Sequence, residues 1–579
     1  MTNTQIARAF EKIANILSLK DENPFRIRAY ERAAQTILAL GEDLEMVYTR
    51  LGRDALMEIP GIGEDLSLKI EELVKTGKLK FLADLEKKVP AGLIEITEIQ
   101  GMGPKKTKFV WEKFKVKSID DLEKLAKSGK LNGVKGWGDK SVENVLLGIV
   151  TKRTHSERVA LPTALVVADQ IVQELKDSGL CDRIEIAGSL RRRRESIGDV
   201  DILVSGDDVE KIMDVFCTFS LVDRILARGP TRASVHLSSG MNSDLRVIDA
   251  KVFGAALHYF TGNKEHNIRI RKMGIERGLT ISEYGVHEGT AEKKGKLKTS
   301  RTEEDIYKAV GLPFIPPELR EDRGEIDAAE KGTLPSLIEL KDMKGDLHMH
   351  TNFSDGSATA SDMASAAKAY GHEYIAIADH GSVMGMVYGI KEKNIDEYLG
   401  LIAQARKEVK GIEIMAGTEV DIEEDGSLYL SDNILAKLDW VVASVHAHFK
   451  MSSADMTKRI LRAIENPYVC MIAHPTARLL LRRDPIEYDF DAVFKAAAKH
   501  NVALEINASI FRLDLNDVLA KRAKDAGVMI VINSDAHHPR EFDYRFGITQ
   551  ARRAWLEAKN VINTRSYKEV KKWIDGRKK

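Results

Sequence analysis

Short apolar runs recur through the second half of the chain: EYIAIADH, IEIMAGTEVDI, WVVASVHAH, YVCMIAHP, VALEINAS and MIVINSDAH. Runs of this length, rich in β-branched residues and without polar alternation, are expected to be strands buried on both faces. Helical stretches separate them at intervals of roughly 30 residues, the length of one β/α unit. Parallel strands of this kind close most simply into a barrel, whose C-terminal strand ends converge on one face. Most of the runs end in, or soon before, a residue that can hold a metal, and the upstream segment KGDLHMHTNFSDG contributes more. The candidates are His348, His350, Asp355, His380, Glu419, His446, His474, Asp535 and His537. His348/His350 and Asp535/His537 sit at i, i+2, so each pair shares one side of an extended segment. Mixed imidazole and carboxylate ligands suit Zn²⁺, Mn²⁺ or Fe²⁺ better than Mg²⁺. Asp346 is expected to orient a ligand histidine from behind, and Arg478 is a candidate phosphate contact. His448, His500 and His538 have no such placement and are read as ordinary histidines.

The chain has 579 residues, too many for a single core, so several domains are expected. Lys+Arg equals Asp+Glu at 88 each, so any polyanionic partner must be argued from local patches. Cys181, Cys217 and Cys470 are scattered, which suggests a reducing compartment and excludes a cysteine zinc site. MTNTQIARAFEKIANIL is read as an amphipathic helix and not a signal peptide. No apolar run approaches the ~20 residues of a membrane span. The expectation is a cytoplasmic protein.

Residues 1–155 show helical periodicity with three Gly-x-Gly elements: EIPGIGEDLSLKI, EIQGMGPKKTKFV and GVKGWGDKSVENV. A single copy fits a mere joint between packed helices. Three copies, with Lys105, Lys106, Lys108 and Lys140 beside two of them, favour contact with a phosphate backbone. The pattern resembles the helix-hairpin-helix motif, which holds DNA without reading its sequence. That resemblance makes Gly61, Gly63, Gly101, Gly103, Lys105, Gly136 and Gly138 candidate DNA-binding residues.

Between these halves lies EIAGSLRRRRESIGDVDILVS. Asp199 and Asp201 alternate on a strand and face the same way, and Asp244 in MNSDLRVIDAKVF offers a third carboxylate. Such a set suits a pair of Mg²⁺ ions that hold the attacking and leaving oxygens of a phosphoryl transfer. Gly188 permits a close turn, Ser189 adds a hydroxyl, and Arg191 and Arg192 offer charge-assisted bonds to phosphate. A surface hairpin with solvated aspartates is the competing reading of Asp-x-Asp alone.

With HYFTGNKEHNIRIRKMG and EEDIYKAVGLPFIPPELRED, this region resembles the nucleotidyltransferase palm and thumb of family X DNA polymerases, the group that includes DNA polymerase beta. The resemblance implies Mg²⁺ or Mn²⁺ at Asp199, Asp201 and Asp244. It implies nucleotide contacts from Gly188, Ser189, Arg192, Gly198, Tyr259, Phe260, Gly262, Asn267 and Arg271. Lys69 falls where that family keeps a lyase amine, although Asp65 replaces a basic neighbour, and a helix-face lysine is the competing reading. Arg193 and Arg194 follow the arginine pair where the beta-type sequence has Gly, so a changed local loop is expected. Residues 343–579 resemble the PHP (polymerase and histidinol phosphatase) family. That likeness implies a distorted (β/α)7 barrel, three metal ions and phosphoester hydrolysis by metal-activated water.

The expected architecture is thus multidomain α+β and α/β. A helical lyase-like region is expected at 1–90, helix-hairpin-helix fingers at 91–155, a palm at 156–252 and a thumb at 253–318. A linker at 319–342 and a PHP barrel at 343–579 complete it. The implied function is gap filling on gapped or nicked duplex DNA with deoxynucleoside triphosphates during base excision repair. A 3′–5′ exonuclease accompanies it, with abasic-site cleavage or 3′-end cleaning as further activities and no obligate protein partner. Two alternatives stand: a repair nuclease whose first half is only a DNA-binding adaptor, and a barrel that is a small-molecule phosphatase or a structural module.

Overall fold

The computed structural model describes residues 3–577, save 21, 39–43, 58, 60–61, 88, 98, 100–101, 132–133, 135–136, 139–141, 143–144, 147–148, 150–157, 290–293, 299, 382–388 and 482. The chain forms two compact units. The first is Met1–Arg158 with Ser238–Met241 and Asp322–Gly324, and the second is the remainder.

The first unit is helical. Helix Asn3–Leu19 buries Ile6, Phe10, Ile13 and Leu17, one stripe at helical spacing, against a core shared with Ile70, Leu73, Val110 and Leu122. Helices Glu64–Thr76 and Pro104–Phe114 start immediately after Gly63 and Gly103, which are their N-caps.

In the second unit, strands β1 (Arg183–Ile186), β2 (Asp199–Ser205), β3 (Val222–Arg228), β4 (Arg232–Leu237) and β5 (Asn242–Val247) form one sheet in the order β1-β2-β5-β4-β3. Only β2 and β5 run parallel. Helices Leu161–Asp177 and Val209–Thr218 supply apolar residues such as Ala164, Ile171, Ile212 and Phe216. Helices Phe253–Thr261 and Lys264–Glu276 follow, with a three-stranded antiparallel sheet of β6 (Leu279–Ser282), β7 (Gly285–Gly289) and β8 (Lys294–Lys298).

Residues 319–342, expected as a linker, connect these elements to the barrel but are themselves packed. Leu319, Ile326 and Ala329 join a core with Ile306 and Tyr307, and Ile338 belongs to the barrel core. Their charges are paired: Arg320 with Glu303, and Arg269 with Asp327, while His266 bonds the buried Glu325 at 2.6 Å.

The barrel consists of β9 (Gly345–Met349), β10 (Tyr374–Ile377), β11 (Glu413–Asp421), β12 (Trp440–Ser444), β13 (Met471–Ile472), β14 (Ala503–Asn507) and β15 (Ile530–Asn533), all parallel and in sequential order. Alternate strand residues serve two cores. Ile414, Ala416, Val441, Leu504, Ile506 and Ile532 pack with helix residues such as Met363, Ile402, Ile460 and Phe494. Leu347, Ala376, Met415, Val442, Met471, Ala503 and Val531 gather inside with Val570 and Ile574 of the C-terminal helix.

Closure between β9 and β15 is thin. It rests on a bridge between Met349 and Ala536, the bonds His350 N–H to the Ala536 carbonyl (2.9 Å) and Asp535 N–H to the His348 carbonyl (3.1 Å), and side-chain links through Asn533 and Asp346.

Candidate active sites

The palm site is set by register. Asp201 on β2 lies directly opposite Asp244 on β5, and Asp199 is two residues earlier, so the three carboxylates share one end of the sheet. Burial, and then the charges of Asp199 and Asp244, push the Asp201 carboxyl up to about 7. A proton affinity raised that far marks crowded negative charge that a divalent cation would neutralise. Gly188 is required here: its φ is +63°, and a Cβ would lie 2.1 Å from the Asp201 Oδ2. Asp244 accepts from Arg232 (3.1 Å) and from the Ser234 hydroxyl.

Gly188, Ser189, Arg192, Asp199, Asp201, Tyr259, Phe260, Gly262, Asn267 and Arg271 line one cleft of about 340 Å³, to which Asn263 and Lys264 also belong. Gly198 and Asp244 do not line it. Asn263 caps the helix Lys264–Glu276 with its side chain, and the Asn in GNKEH is the sequence mark of that cap. Asn267 is fixed by its bond to the Tyr259 carbonyl at 2.7 Å. Arg192 is buried and held by Glu321 (3.1 Å) and the Thr261 carbonyl (2.5 Å). Arg191, expected to bond phosphate, instead forks onto Glu303 at 2.8 and 2.6 Å and bonds Thr261. Its charge joins the thumb region to the palm. Arg193 has φ +57°, the left-handed conformation a glycine there would adopt freely, so the extra arginine is accommodated at a cost of about 1–2 kcal/mol.

In the first unit, Gly61, Gly101, Gly136 and Lys140 lie outside the described residues. Gly63 and Gly103 are exposed and cap their helices without side-chain bonds, leaving first-turn N–H groups open. The two hairpins differ in charge. The first helix opens with Glu64 and Asp65, which disfavour an anion, and the second with Pro104, Lys105 and Lys106. Lys106 lies 4.9 Å over the Trp137 ring and Lys108 pairs with Glu112 at 3.7 Å, while Lys105 is exposed. Gly138 has open space around it. The Lys69 amine is paired with the Asp65 carboxylate and sits 5.1 Å over the Phe81 ring.

The barrel site follows from the interior parity. Continuing Met415, Val442, Ala503 and Val531 in steps of two reaches Glu419, His446, Glu505 and Asp535. Polar groups therefore replace apolar ones as the strands rise toward their C-terminal ends. All nine expected residues come together, in three overlapping groups whose candidate ligand atoms lie within 4.8 Å or which touch those groups directly. The groups are His350, Asp355, His380 and His537; His348, His350 and Asp535; and His380, Glu419 and His446. His474 reaches Glu419 at 3.0 Å. Other nitrogen–oxygen separations are 3.2 Å (His350–Asp535), 3.3 Å (His380–Asp355) and 3.3 Å (His446–Glu419). Two ligands about 2.1 Å from one tetrahedral ion are about 3.4 Å apart, so the spacing fits ligation. Nε2 of His348, both ring nitrogens of His350, Oε1 of Glu419 and Nδ1 of His474 are buried without a hydrogen-bond partner among the described residues. Orphans at that density are expensive unless an ion takes them. The carboxylates also give the site a surplus of negative charge that a cation would neutralise. Burial opposes charge on His446, yet Glu419 and Asp421 override it and raise it to about 10, and Asp355 and Asp535 likewise lift His537 to about 9.

A buried polar layer holds these ligands. Glu505 accepts from His348 Nδ1 (2.8 Å) and Asn533 Nδ2 (2.9 Å) on one oxygen, and from the His474 N–H (2.7 Å) and Asn507 Nδ2 (3.2 Å) on the other. Asp421 takes His446 Nδ1 at 2.8 Å, and Asn507 bonds Asp535 at 2.9 Å. Asp379, pushed by burial to about 6, accepts from Thr351 and Ser354 in the loop that carries Asp355. None of Glu505, Asn507, Asn533, Asp421 or Asp379 was singled out from sequence. The available signal was polar residues at interior parity in otherwise apolar strands.

Two expectations change. Asp346 orients backbone and not an imidazole: it bonds the His348 N–H (3.0 Å), Ser534 and the Tyr544 hydroxyl (2.6 Å), tying β9 to the end of β15, while Glu505 orients the ring. Arg478 does not face the cluster. Its guanidinium forks onto Glu195 beside the palm at 3.0 and 2.6 Å and bonds the Arg512 and Leu513 carbonyls.

Comparison with known proteins agrees with this geometry. Family models match at residues 1–79 (helix-hairpin-helix domain), 256–321 (DNA polymerase beta thumb) and 346–509 (PHP domain). The chain is 36% identical over 577 residues to the DNA polymerase/3′-5′ exonuclease PolX of Bacillus subtilis, covering 99% of each. It is 25% identical over 288 residues to DNA polymerase lambda of Rattus norvegicus, 45% of this chain and 48% of that one. The barrel half is 36% identical over 204 residues to a probable phosphatase of Thermoanaerobacter, 33% of this chain and 78% of that one. The carboxylates of the palm cleft and the ligand cluster of the barrel thus sit in one continuous, full-length match, and the chain belongs to the PolX family, the family X DNA polymerases that carry a PHP domain.

Proposed function

We propose that this chain fills short gaps in duplex DNA from deoxynucleoside triphosphates, and that its barrel hydrolyses DNA from the 3′ end. The observation that carries the reading is the coexistence, in one chain, of a complete palm carboxylate set beside a nucleotide-sized cleft and a nine-residue ligand cluster with orphaned buried atoms. A DNA-binding adaptor would need neither Asp201 nor a glycine at position 188 with no room for a side chain.

In the palm, Asp199, Asp201 and Asp244 would hold Mg²⁺ or Mn²⁺. Arg192 and Ser189 would receive the triphosphate, Tyr259, Phe260 and Gly262 would pack against the sugar, and Asn267 and Arg271 would meet the base pair. In the barrel, the nine residues would hold Zn²⁺, Mn²⁺ or Fe²⁺, three ions as the likeness to the PHP family implies. Bound ions would supply charge neutralisation of the phosphate and a more acidic water. The protein's own part is to aim the ligand atoms, through Glu505, Asp421 and Asp379, and to keep them dry. Lys105 and the second hairpin would hold the duplex backbone. Base excision repair is the setting such gap filling serves, with cleavage at abasic sites or of blocked 3′ ends as further barrel substrates. The lyase reading of Lys69 is not carried forward, given its pairing with Asp65. The described residues hold no helix long and apolar enough to cross a membrane, and a cytoplasmic setting is consistent with three free cysteines.

The test is reciprocal. Wild type extends a primer across a gapped duplex and shortens a 3′-labelled strand in Mn²⁺. Asp201→Asn loses extension and keeps shortening, and His350→Ala does the reverse, with circular dichroism to check folding. Loss of both activities in either variant contradicts two separate sites.

A further inference from the structure

The palm sheet has two unlike faces. Val200, Ala233, Val235 and Leu245 are buried on one, while Asp201, Arg232, Ser234 and Asp244 alternate onto the other. Nucleotide addition brings two substrates to the carboxylates of that second face, a triphosphate and the 3′ end of a primer. The cleft beside Arg192 accounts for the first, and Asp199 and Asp201 line it whereas Asp244 does not. Asp244 therefore borders the side left for the primer end.

Register decides what else stands there. Ser234 on β4 lies directly opposite Asp244, and Arg232 is two residues away on the same strand, so both share the carboxylate's face. Each holds one oxygen. The Ser234 hydroxyl donates to Asp244 Oδ1, and the Arg232 guanidinium donates to Oδ2 at 3.1 Å. The Arg232 side chain is 50% exposed. It also lies opposite Arg246 on β5, and like charges across a strand pair repel. Arg246 is held elsewhere, its guanidinium 4.3 Å over the ring of Phe260, which lines the nucleotide cleft. The two arginines thus divide the site, one toward the nucleotide and one toward the outer carboxylate.

As a counter-ion alone, Arg232 would work against the site. A guanidinium on Asp244 Oδ2 competes with a metal for that oxygen and is redundant once a metal is held there. Released from Asp244, it needs another anion, and the phosphodiester nearest the primer 3′ oxygen is the one that every primer brings. Phosphate oxygens suit the forked N–H donors of arginine.

We propose that Arg232 holds the terminal phosphodiester of the primer strand, its guanidinium passing from Asp244 to that phosphate when gapped DNA binds. This role rests on the palm being a polymerase, and it gives the primer strand a named contact beside those of the nucleotide.

The test uses two gapped duplexes, identical except that the last linkage of the primer is a phosphodiester in one and an uncharged methylphosphonate in the other. Wild type, Arg232→Gln and Arg232→Lys are assayed for primer extension in Mg²⁺, with 3′ hydrolysis in Mn²⁺ by the same preparations as the folding control. Wild type should show a KM for DNA about tenfold higher with the uncharged linkage, the worth of one charge-assisted contact, at an unchanged KM for nucleotide. Arg232→Gln should show the higher KM with both duplexes, and Arg232→Lys should recover part of the difference. An equal preference for the charged linkage in wild type and Arg232→Gln overturns the contact. So does a fall in kcat alone, which would leave Arg232 a counter-ion of Asp244. Failure of wild type to extend either primer overturns the polymerase reading, and the contact falls with it.

Discussion

Glu505→Gln isolates the contribution of the layer behind the barrel ligands. The side chain is fully buried and accepts four hydrogen bonds, two on each oxygen. A glutamine of the same shape must present its NH₂ group to one pair of donors. The His474 N–H cannot turn away, whereas His348 can respond only by moving its proton from Nδ1 to Nε2. That second nitrogen is the one facing Glu419 and Asp535, at 3.5 and 3.6 Å. A protonated Nε2 cannot be a ligand. Alternatively the NH₂ faces the His474 N–H and pushes the turn that carries His474 off its place. Either outcome falls in the range of lost outer partners of metal-bound histidines, 10–100-fold, or about 1.4–2.7 kcal/mol. Hydrolysis of a 3′ end titrated with Mn²⁺ should therefore need about 10–100-fold more metal for half activity, with activity recovering at excess metal. Gap filling by the same protein should be unaffected. Wild-type metal dependence in Glu505→Gln would refute the reasoning, because it would mean that the four bonds do not set the ring's orientation.

Gly188→Ala should reduce primer extension about 100-fold, since a methyl 2.1 Å from Asp201 Oδ2 displaces that carboxylate by the order of an ångström, while 3′ hydrolysis persists. Arg553→Lys should raise the KM for nucleotide about fivefold, a loss of about 1 kcal/mol, although Arg553 belongs to the barrel. Its guanidinium donates to the Arg192 carbonyl (2.5 Å), Glu321 (3.1 Å) and Asp517 (2.8 Å), a span that one ammonium cannot cover. An unchanged KM would detach the barrel from Arg192. Burial opposes the charge of Glu303, but Arg320 and Arg191 override it and hold its carboxyl at about 2, below the ordinary 4.5. Because the folded value is depressed, this stabilisation is complete above about pH 4.5 and is lost as pH falls toward 2. It amounts to about 3 kcal/mol. Thermal melts between pH 6 and 2.5 should show that slope in wild type and a shallower one in Glu303→Gln.

The barrel and the gathering of its candidate ligands were legible because two local signals coincide. Strand runs mark their own positions by β-branched content, and the ligand types stand where the strands stop. The Asp199-x-Asp201 alternation was legible for the same reason. What escaped was settled by distant partners. Arg478 finds Glu195 and Arg191 finds Glu303, at separations of 283 and 112 residues that no local pattern reveals. Asp346 looked like a ring-orienting residue because it is two residues from His348, but its side chain points back to the main chain. Glu505 was hidden inside VALEINAS, where one carboxylate among apolar neighbours reads as noise until the strand's interior face is known. The stretch 319–342 was expected as a linker, but Arg320 and Glu325 place their charges on buried partners far away in sequence.

The thin closure between β9 and β15 has a mechanical meaning. His348 and His350 stand on one side of that gap and Asp535 and His537 on the other, so an ion held from both sides would also stitch the ring shut where the backbone ladder does so least. Glu419, His446 and His474 stand among strands already laddered to their neighbours. The nine positions are therefore unequal as structural parts. Losing a candidate ligand among the laddered strands would remove one metal-holding atom, whereas losing one at the gap would also unfasten the clasp of the barrel.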